Sequence, residues 1–415
     1  MIVEIDYCAR GKMFSTIDTL ETLARHTDTE RQGSPERTCD GIYDIDMKSC
    51  LHFLRVIAIV LCLLIAGALP AFSARKPRAA LRTSVRHHSV SRHGGPTLAD
   101  SLKDDITEYD EPAVRKAAIE SMGRYNGSVV AIDPSSGRIL SVVNQKLAFS
   151  SGFIPCSTIK PVIAVAALQE GVVTRDTMIR VAPRKYLNLT EALAHSNNVF
   201  FEELGRRMGF DTVSHYGRLL GLGELAGYQI PEEHPGGFPS VPPAFGGVAR
   251  MSSFGEGIQM TPLQLGALAS SIANGGTLYY LQYPRTAEDK ANFLPRIKRN
   301  LNIEALLPEV RDGMLAAVLY GTARLSYISS DEQALGKTGT CSEDGSRLGW
   351  FVSYANQTNP KIVLVILMRG HSSAIKGPMA AGVAGRIYRK LNDENYFGTR
   401  NAEARTPSLA ADLRQ

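Results

Sequence analysis

The sequence lacks several features that would assign it to a class at once. No apolar run is long enough to cross a bilayer as a helix, since the longest, Val56 to Leu69, has 14 residues where about 20 are needed. No stripe of basic and aromatic residues accompanies the net charge of +5, so we expect no nucleic-acid partner. The 44% of hydrophobic and 21% of charged residues are typical of a globular protein.

Signals for metals and nucleotides are missing as well. His87, His88 and His93 lie close together in the sequence but have no acidic or cysteine neighbours that would complete a metal site. The segment GKTGT at 336–340 is not a phosphate-binding Walker loop, because Asp331 stands where the first glycine of that motif would be. We therefore expect neither a metal nor an organic cofactor.

The region before residue 75 predicts an export segment. Residues 1–46 show no sustained periodicity, whereas 47–74 contain a basic flank, the apolar run and then small residues. This order is that of a secretory signal peptide. We interpret 47–74 as a signal peptide, or alternatively as a short uncleaved membrane anchor, and 1–46 as an over-called extension upstream of Met47. In either case we expect the rest of the chain to be exported.

The remaining sequence divides into a linker, a domain and a tail. Residues 75–97 are rich in Arg, Ser and His without periodicity, and they predict a basic linker before a domain at 98–395. The domain is predicted to have a helix from Asp105 to Met122, two strands near its start, three near its end and helices between them. This order predicts an α+β fold with a mostly antiparallel sheet built from both ends of the domain. Residues 396–415 are predicted to be disordered.

The stretch PCSTIKP at 155–161 carries the first candidate for chemistry. It leads into the apolar residues 162–168, which predict a helix, and Pro161 fits only in the first turn of that helix. Ser157 and Lys160 therefore share one helix face near its amino end. There free N–H groups favour developing negative charge, and a partly neutral lysine can take the proton of the hydroxyl. Alone, the pattern also fits a capped helix start with a solvated lysine.

Two further groups follow in the sequence. His195-Ser196-Asn197-Asn198 contains S-x-N, and GKTGT at 336–340 precedes a strand region. S-x-x-K, S-x-N and K-T-G in this order resemble the pattern of penicillin-binding proteins and class A β-lactamases. The stretches 127–169, 196–209 and 255–276 are also similar to the penicillin-binding transpeptidase domain. The resemblance covers about residues 100–395 and implies an antiparallel sheet flanked by helices, together with a helical subdomain.

The resemblance implies roles for the first two motifs. Ser157 would attack the penultimate D-Ala carbonyl of a peptidoglycan stem peptide and form an acyl-enzyme, with Lys160 as its base. Ser196 would relay a proton to the leaving amine, and Asn198 would hold Lys160 or the substrate amide. β-Lactams would then act as covalent inhibitors.

The resemblance also assigns the third motif. Lys337 would keep the site electropositive and depress the pKa of Lys160. Thr338, Gly339 and Thr340 would line the site for the terminal carboxylate of the substrate. The backbone N–H groups of Ser157 and Thr340 would form the oxyanion hole.

Two cysteines distinguish this sequence from the family pattern. Residue 156 is commonly glycine in transpeptidases but is Cys156 here, and Cys341 follows the K-T-G-T stretch. They are the only cysteines beyond the export segment. In the implied fold the K-T-G strand lies against the nucleophile helix, so we predict a Cys156–Cys341 disulfide in an oxidising compartment. Some class A β-lactamases with carbapenemase activity look similar at these two places.

The resemblance therefore implies a serine D,D-transpeptidase or D,D-carboxypeptidase, and the export segment predicts that it acts outside the cytoplasm, in the periplasm or on the outer face of the inner membrane. A β-lactamase is the first alternative. It would need a deacylating base such as Glu232 or Glu233, but no asparagine follows these as in class A enzymes. A catalytically silent sensor of β-lactams or muropeptides is the second alternative.

Overall fold

The computed structural model describes residues 98–149, 152–329, 332–355 and 359–398. The predictions of an upstream extension, an export segment and a basic linker fall outside these residues. Within the described ranges, no helix is both long and apolar enough to cross a membrane.

A five-stranded antiparallel sheet forms the centre of the fold. Its strands are β1 (Gly127–Asp133), β2 (Arg138–Val143), β7 (Ala334–Glu343), β8 (Ser346–Ala355) and β9 (Ile362–Gly370). They lie in the order β2-β1-β9-β8-β7, so the first hairpin pairs with the last strand and β7 lies at an edge. Two small sheets pair β3 (Ile179–Ala182) with β4 (Lys185–Leu187) and β5 (Thr277–Tyr279) with β6 (Ile297–Asn300). The predicted α+β architecture is confirmed.

The helices fall mainly between β2 and β7. In chain order they are α1 (Leu98–Ser101), α2 (Pro112–Met122), α3 (Gln145–Phe149), α4 (Lys160–Gln169), α5 (Leu189–Ala194), α6 (Asn198–Leu219), α7 (Gly247–Phe254), α8 (Pro262–Asn274), α9 (Ala287–Ala291), α10 (Leu307–Leu319) and α11 (Gly377–Asp393). Short 3₁₀ turns occupy Cys156–Ile159, Glu304–Leu306 and Arg324–Ser326. Thr261 caps α8 in a capping box with Gln264.

The sheet is the middle layer between two groups of helices. Successive residues of its central strands face opposite sides, and both sides are buried. Val130 and Val365 pack in one apolar cluster with Ile163 of α4. Val129 and Ile366 pack in a second cluster that contains residues of α2 and α11. The helix that carries the predicted nucleophile is therefore fixed on one face of the sheet.

The predicted helix from Asp105 to Met122 is wrong over its first part, because the helix begins at Pro112. Proline is accepted in a first turn but disfavours a helical conformation in the residue before it. Asp105 and Asp110 instead accept hydrogen bonds from the Arg115 guanidinium at 2.8 and 3.0 Å. These bonds hold the preceding segment against the helix.

The predicted disorder from residue 396 onwards is wrong for the first residues of that range. Tyr396 and Phe397 are buried in the second apolar cluster. The Tyr396 hydroxyl also donates a hydrogen bond to Glu111 Oε2 at 2.6 Å. Tyr396 and Phe397 are therefore part of the folded domain, and the residues after 398 lie outside the described part.

Candidate active site

The predicted nucleophile lies at the start of a buried helix. Ser157 is in the 3₁₀ turn Cys156–Ile159, which continues into α4 with Pro161 in its first turn, as predicted. Lys160 Nζ lies 2.6 Å from Ser157 Oγ. The three-residue spacing therefore brings the amine into hydrogen-bond contact with the hydroxyl.

Lys160 Nζ is surrounded by oxygen acceptors. It donates to Asn198 Oδ1 at 2.8 Å and to the carbonyl oxygen of Ser253 at 2.9 Å, and it lies 3.4 Å from Ser196 Oγ. An ammonium has only three protons for these oxygens and the Ser157 hydroxyl. When the lysine is neutral, its nitrogen has two protons for these acceptors and one lone pair. The lone pair can then accept the proton of the Ser157 hydroxyl.

Burial tunes the Lys160 amine toward its neutral form. The side chain is fully buried, and this loss of solvation lowers its pKa well below the ordinary value. The charge of Lys337 lowers the pKa further, while Glu202 opposes the shift. A neutral lysine at hydrogen-bond distance from a serine can act as its base.

Ser196 and Asn198 lie at a break between two helices. Helix α5 ends before Ser196, whose φ of 54° is rare for a residue other than glycine, and α6 begins at Asn198. The Asn197 side chain caps α6 by accepting from the Phe200 N–H at 2.9 Å. The break directs the Ser196 and Asn198 side chains to Lys160.

A second lysine completes the polar cluster. Lys337 Nζ donates to Ser196 Oγ at 2.8 Å and to the carbonyl oxygen of Thr338 at 2.9 Å. Complete burial lowers the pKa of Lys337 to about 7. The Ser196 hydroxyl thus lies between the two amines of Lys160 and Lys337. Because repulsion disfavours two charges so close together, protonation of one of these lysines disfavours protonation of the other.

The hydroxyls of the K-T-G-T stretch have different surroundings. Thr338 is buried, and its Oγ1 lies 2.7 Å from Thr322 Oγ1. Thr340 is exposed, and its Oγ1 accepts from the Gly377 N–H at 2.8 Å. Both lie on the edge strand β7 next to the nucleophile turn.

Gly339 allows this strand to approach the nucleophile turn closely. A Cβ at this position would lie 3.0 Å from the carbonyl oxygen of Pro155 and 3.1 Å from Thr158 Cγ2. A larger residue would therefore push β7 away from Ser157. Gly339 contributes to the site because it has no side chain that would separate β7 from the nucleophile turn.

The structure joins Cys156 to Cys341 in a disulfide, with the two Cα atoms 5.8 Å apart. The bond ties β7 to the turn that carries Ser157. Cys156 has a φ of 51°, in the left-handed region that glycine adopts most readily. This conformation gives a physical reason for the glycine that the resemblance places at this position.

The two glutamates considered as deacylating bases have other partners. Glu232 Oε1 accepts from Arg285 Nη1 at 2.6 Å. The Glu233 carboxylate accepts from the Ala226 and Gly227 N–H groups at 2.8 and 2.7 Å. These contacts engage both carboxylates in holding their own loop.

Several contacts of the site were missed in the sequence analysis. The contact with the Ser253 carbonyl has no signal in the sequence, because every residue has a backbone carbonyl. The rings of Phe201 and Phe254 lie 5.6 and 5.9 Å from Lys160 Nζ. Their faces stabilise the positive charge of the amine when it is protonated. Thr322 belongs to a Gly-Thr-Ala segment whose proximity to Thr338 depends on the fold.

Throughout the described ranges, His, Cys, Asp and Glu side chains form no group of three suited to a metal.

Comparisons with known proteins point to one family. The family model for the penicillin binding protein transpeptidase domain matches residues 127–392. Stage V sporulation protein D of Bacillus subtilis is 26% identical in an alignment of 310 residues that covers 63% of this chain and 48% of that protein. Peptidoglycan D,D-transpeptidase FtsI of Escherichia coli is 24% identical in an alignment of 314 residues that covers 65% of this chain and 52% of that protein. The chain thus spans about half the length of these two relatives.

A mycobacterial relative is covered more fully, and solved structures share the fold. Peptidoglycan D,D-transpeptidase PbpA of Mycolicibacterium smegmatis is 28% identical in an alignment of 382 residues that covers 72% of this chain and 76% of that protein. The crystal structure of PBPA from Mycobacterium tuberculosis matches with a TM-score of 0.56 at 23% identity, over 68% of this chain and 81% of that chain. A D,D-transpeptidase domain from Eggerthella lenta matches with a TM-score of 0.54 at 20% identity, over 68% and 82%.

Proposed function

The chain belongs to the penicillin-binding protein transpeptidase family, and from this premise we propose that it is a serine D,D-transpeptidase or D,D-carboxypeptidase of peptidoglycan stem peptides. The observation that carries the proposal is the 2.6 Å contact between Ser157 Oγ and the buried, pKa-lowered amine of Lys160. The names of the relatives FtsI and PbpA as peptidoglycan D,D-transpeptidases support the same substrate.

The first chemical step is acylation. Neutral Lys160 accepts the Ser157 proton as Oγ attacks the carbonyl carbon of the penultimate D-Ala, and the peptide bond to the last D-Ala breaks. The backbone N–H groups of Ser157 and Thr340 stabilise the negative oxygen of the intermediate, where loss of one donor typically costs about 2.7–4 kcal/mol. The product is an ester between Ser157 and the shortened stem peptide.

The leaving D-Ala needs a proton to depart as an amine. We propose that Ser196 passes it on, and this is supported by the distances of its Oγ, 3.4 Å from Lys160 Nζ and 2.8 Å from Lys337 Nζ. When protonated, Lys337 also attracts the carboxylate of the same D-Ala, which Thr338 and Thr340 bind through their hydroxyls. In the second step an acceptor amine in cross-linking, or water in trimming, attacks the ester carbonyl and loses a proton. The bond to Ser157 Oγ then breaks, and the serine hydroxyl regains its proton.

The proposed setting is outside the cytoplasm. An exported chain meets an oxidising compartment, where a Cys156–Cys341 disulfide persists. The substrate proposed for Ser157 is also found on that side of the membrane. We retain the predicted signal peptide or short anchor at 47–74 as part of this proposal.

The test is the intact mass of the protein during incubation with benzylpenicillin, repeated with Ser157→Ala. A long-lived adduct that is absent in the variant supports a penicillin-binding enzyme. An adduct that disappears while the drug is hydrolysed indicates a β-lactamase instead. A folded wild type that neither forms an adduct nor hydrolyses the drug rules out acylation of Ser157 and leaves the silent sensor. A thermal unfolding curve for each protein verifies that both are folded.

A further inference from the structure

The segment Gly321-Thr322-Ala323 lies between the second and third motifs of the site. The Thr322 N–H donates to the carbonyl oxygen of Ala194, two residues before Ser196, at 3.0 Å. A Cβ on Gly321 would collide with the same carbonyl oxygen. The Ala323 N–H donates to the Ala317 carbonyl oxygen of α10 at 2.8 Å, which fixes the other end of the segment. The position of Thr322 is therefore set by backbone contacts on both sides.

The side chain of Thr322 contacts the third motif. Its Oγ1 lies 2.7 Å from Thr338 Oγ1, which is a good hydroxyl–hydroxyl distance. On another side Thr338 is confined by Gly377, where a Cβ would lie only 2.7 Å from Thr338 Cβ. Packing thus restricts the Thr338 side chain, and Thr322 supplies the partner for its hydroxyl.

The direction of this hydrogen bond matters when a carboxylate binds. An ionised carboxylate only accepts hydrogen bonds, so Thr338 must donate its single proton to it. The oxygen of Thr338 is then free to accept, and Thr322 can donate to it. A chain from Thr322 through Thr338 to the carboxylate has every proton pointing one way, and such chains strengthen each bond.

We propose that Thr322 is a positioning residue that orients the Thr338 hydroxyl toward the carboxylate of the substrate, by donating a hydrogen bond to its oxygen. The inference rests on the proposed function, because it takes Thr338 as part of the carboxylate site. It adds a residue outside the three motifs to the recognition of substrates that end in a free carboxylate. It also implies that Thr322 affects acylation by compounds that have this carboxylate and has little effect on acylation by compounds that lack it.

The experiment compares acylation by benzylpenicillin, which has a carboxylate, with acylation by its methyl ester, which has none. Second-order acylation constants are measured by intact mass on the full chain, for the wild type, Thr322→Val and Thr322→Ser. Thr174→Val is the matched control, because it removes a hydroxyl–hydroxyl contact of 3.0 Å at an exposed position. Thr322→Ala replaces Thr322→Val if the valine variant does not fold.

We expect Thr322→Val to slow acylation by benzylpenicillin about fivefold to tenfold, which corresponds to the loss of one hydrogen bond, and to change the methyl ester constant little. Thr322→Ser and Thr174→Val should keep the wild-type ratio of the two constants. An equal fall with both compounds, or a serine variant as slow as the valine variant, would overturn the positioning role. A folded wild type that neither compound acylates overturns the proposed function itself.

Discussion

The disulfide beside Ser157 gives the most direct stability prediction. Cys156 and Cys341 are 185 residues apart, so their cross-link closes a very long loop in the unfolded chain. In the chain-entropy model a loop of this length corresponds to about 5 kcal/mol of stabilisation at 25 °C. We expect Cys156→Ala and Cys341→Ala each to lower the free energy of unfolding by several kcal/mol, with this figure as the upper end.

The assay is urea unfolding of the wild type and both variants, with and without a reductant. Under oxidising conditions the wild type should unfold at a clearly higher urea concentration than either variant. Adding reductant should move the wild type close to the variants and leave Cys341→Ala almost unchanged, which separates the cross-link from the packing of the side chains. The reasoning is refuted if wild type and variants unfold at the same urea concentration under oxidising conditions.

Three further predictions concern other buried groups. Because the pKa of Lys337 is about 7 in the folded protein against an ordinary 10.5, the unfolded chain binds more protons between these values, and wild-type stability rises with pH across that window. The stability advantage of Lys337→Met over wild type should therefore shrink by up to about 1.4 kcal/mol per pH unit above pH 7 in urea unfolding, and a constant difference would contradict this. Phe397→Ala should lower the unfolding free energy by about 3 kcal/mol, since the ring is buried; a change within error would mean that the chain end does not pack as described. Tyr283→Phe removes the hydroxyl that Asp110 accepts from and should cost about 1–3 kcal/mol by thermal unfolding, whereas unchanged stability would show that this bond contributes nothing.

The sequence predicted those parts of the fold and site that depend on local pattern. Alternating and continuous apolar runs located the five strands of the main sheet, and Pro161 placed Ser157 in the first turns of its helix. Through the family resemblance, the order of the motifs predicted that Ser196 and Lys337 belong to one site with Lys160. The structure has these three side chains in one cluster. The catalytic roles of these residues stay predictions.

Other features depend on contacts between distant segments and had no local signal. The segment before Pro112 resembled a helix by its spacing, yet Asp105 and Asp110 pair with Arg115 instead. The polar composition after residue 395 concealed the buried side chains of Tyr396 and Phe397. Thr322 is an ordinary residue in the sequence, and its contact with Thr338 exists only because β7 and α10 pack together.

The pairing of β1 with β9 has a consequence for the order in which the protein can fold. Gly127 to Ile132 pair with Met368 to Val363, so strands far apart in the sequence are neighbours at the middle of the sheet. During synthesis, strand β1 has only β2 as a partner until β9 has been made. Such non-local pairing slows folding, because the loop must close before its contacts form. A chain that ends before Ile362 would lose a central strand and leave β1 and β8 as unpaired edges, which are prone to aggregation.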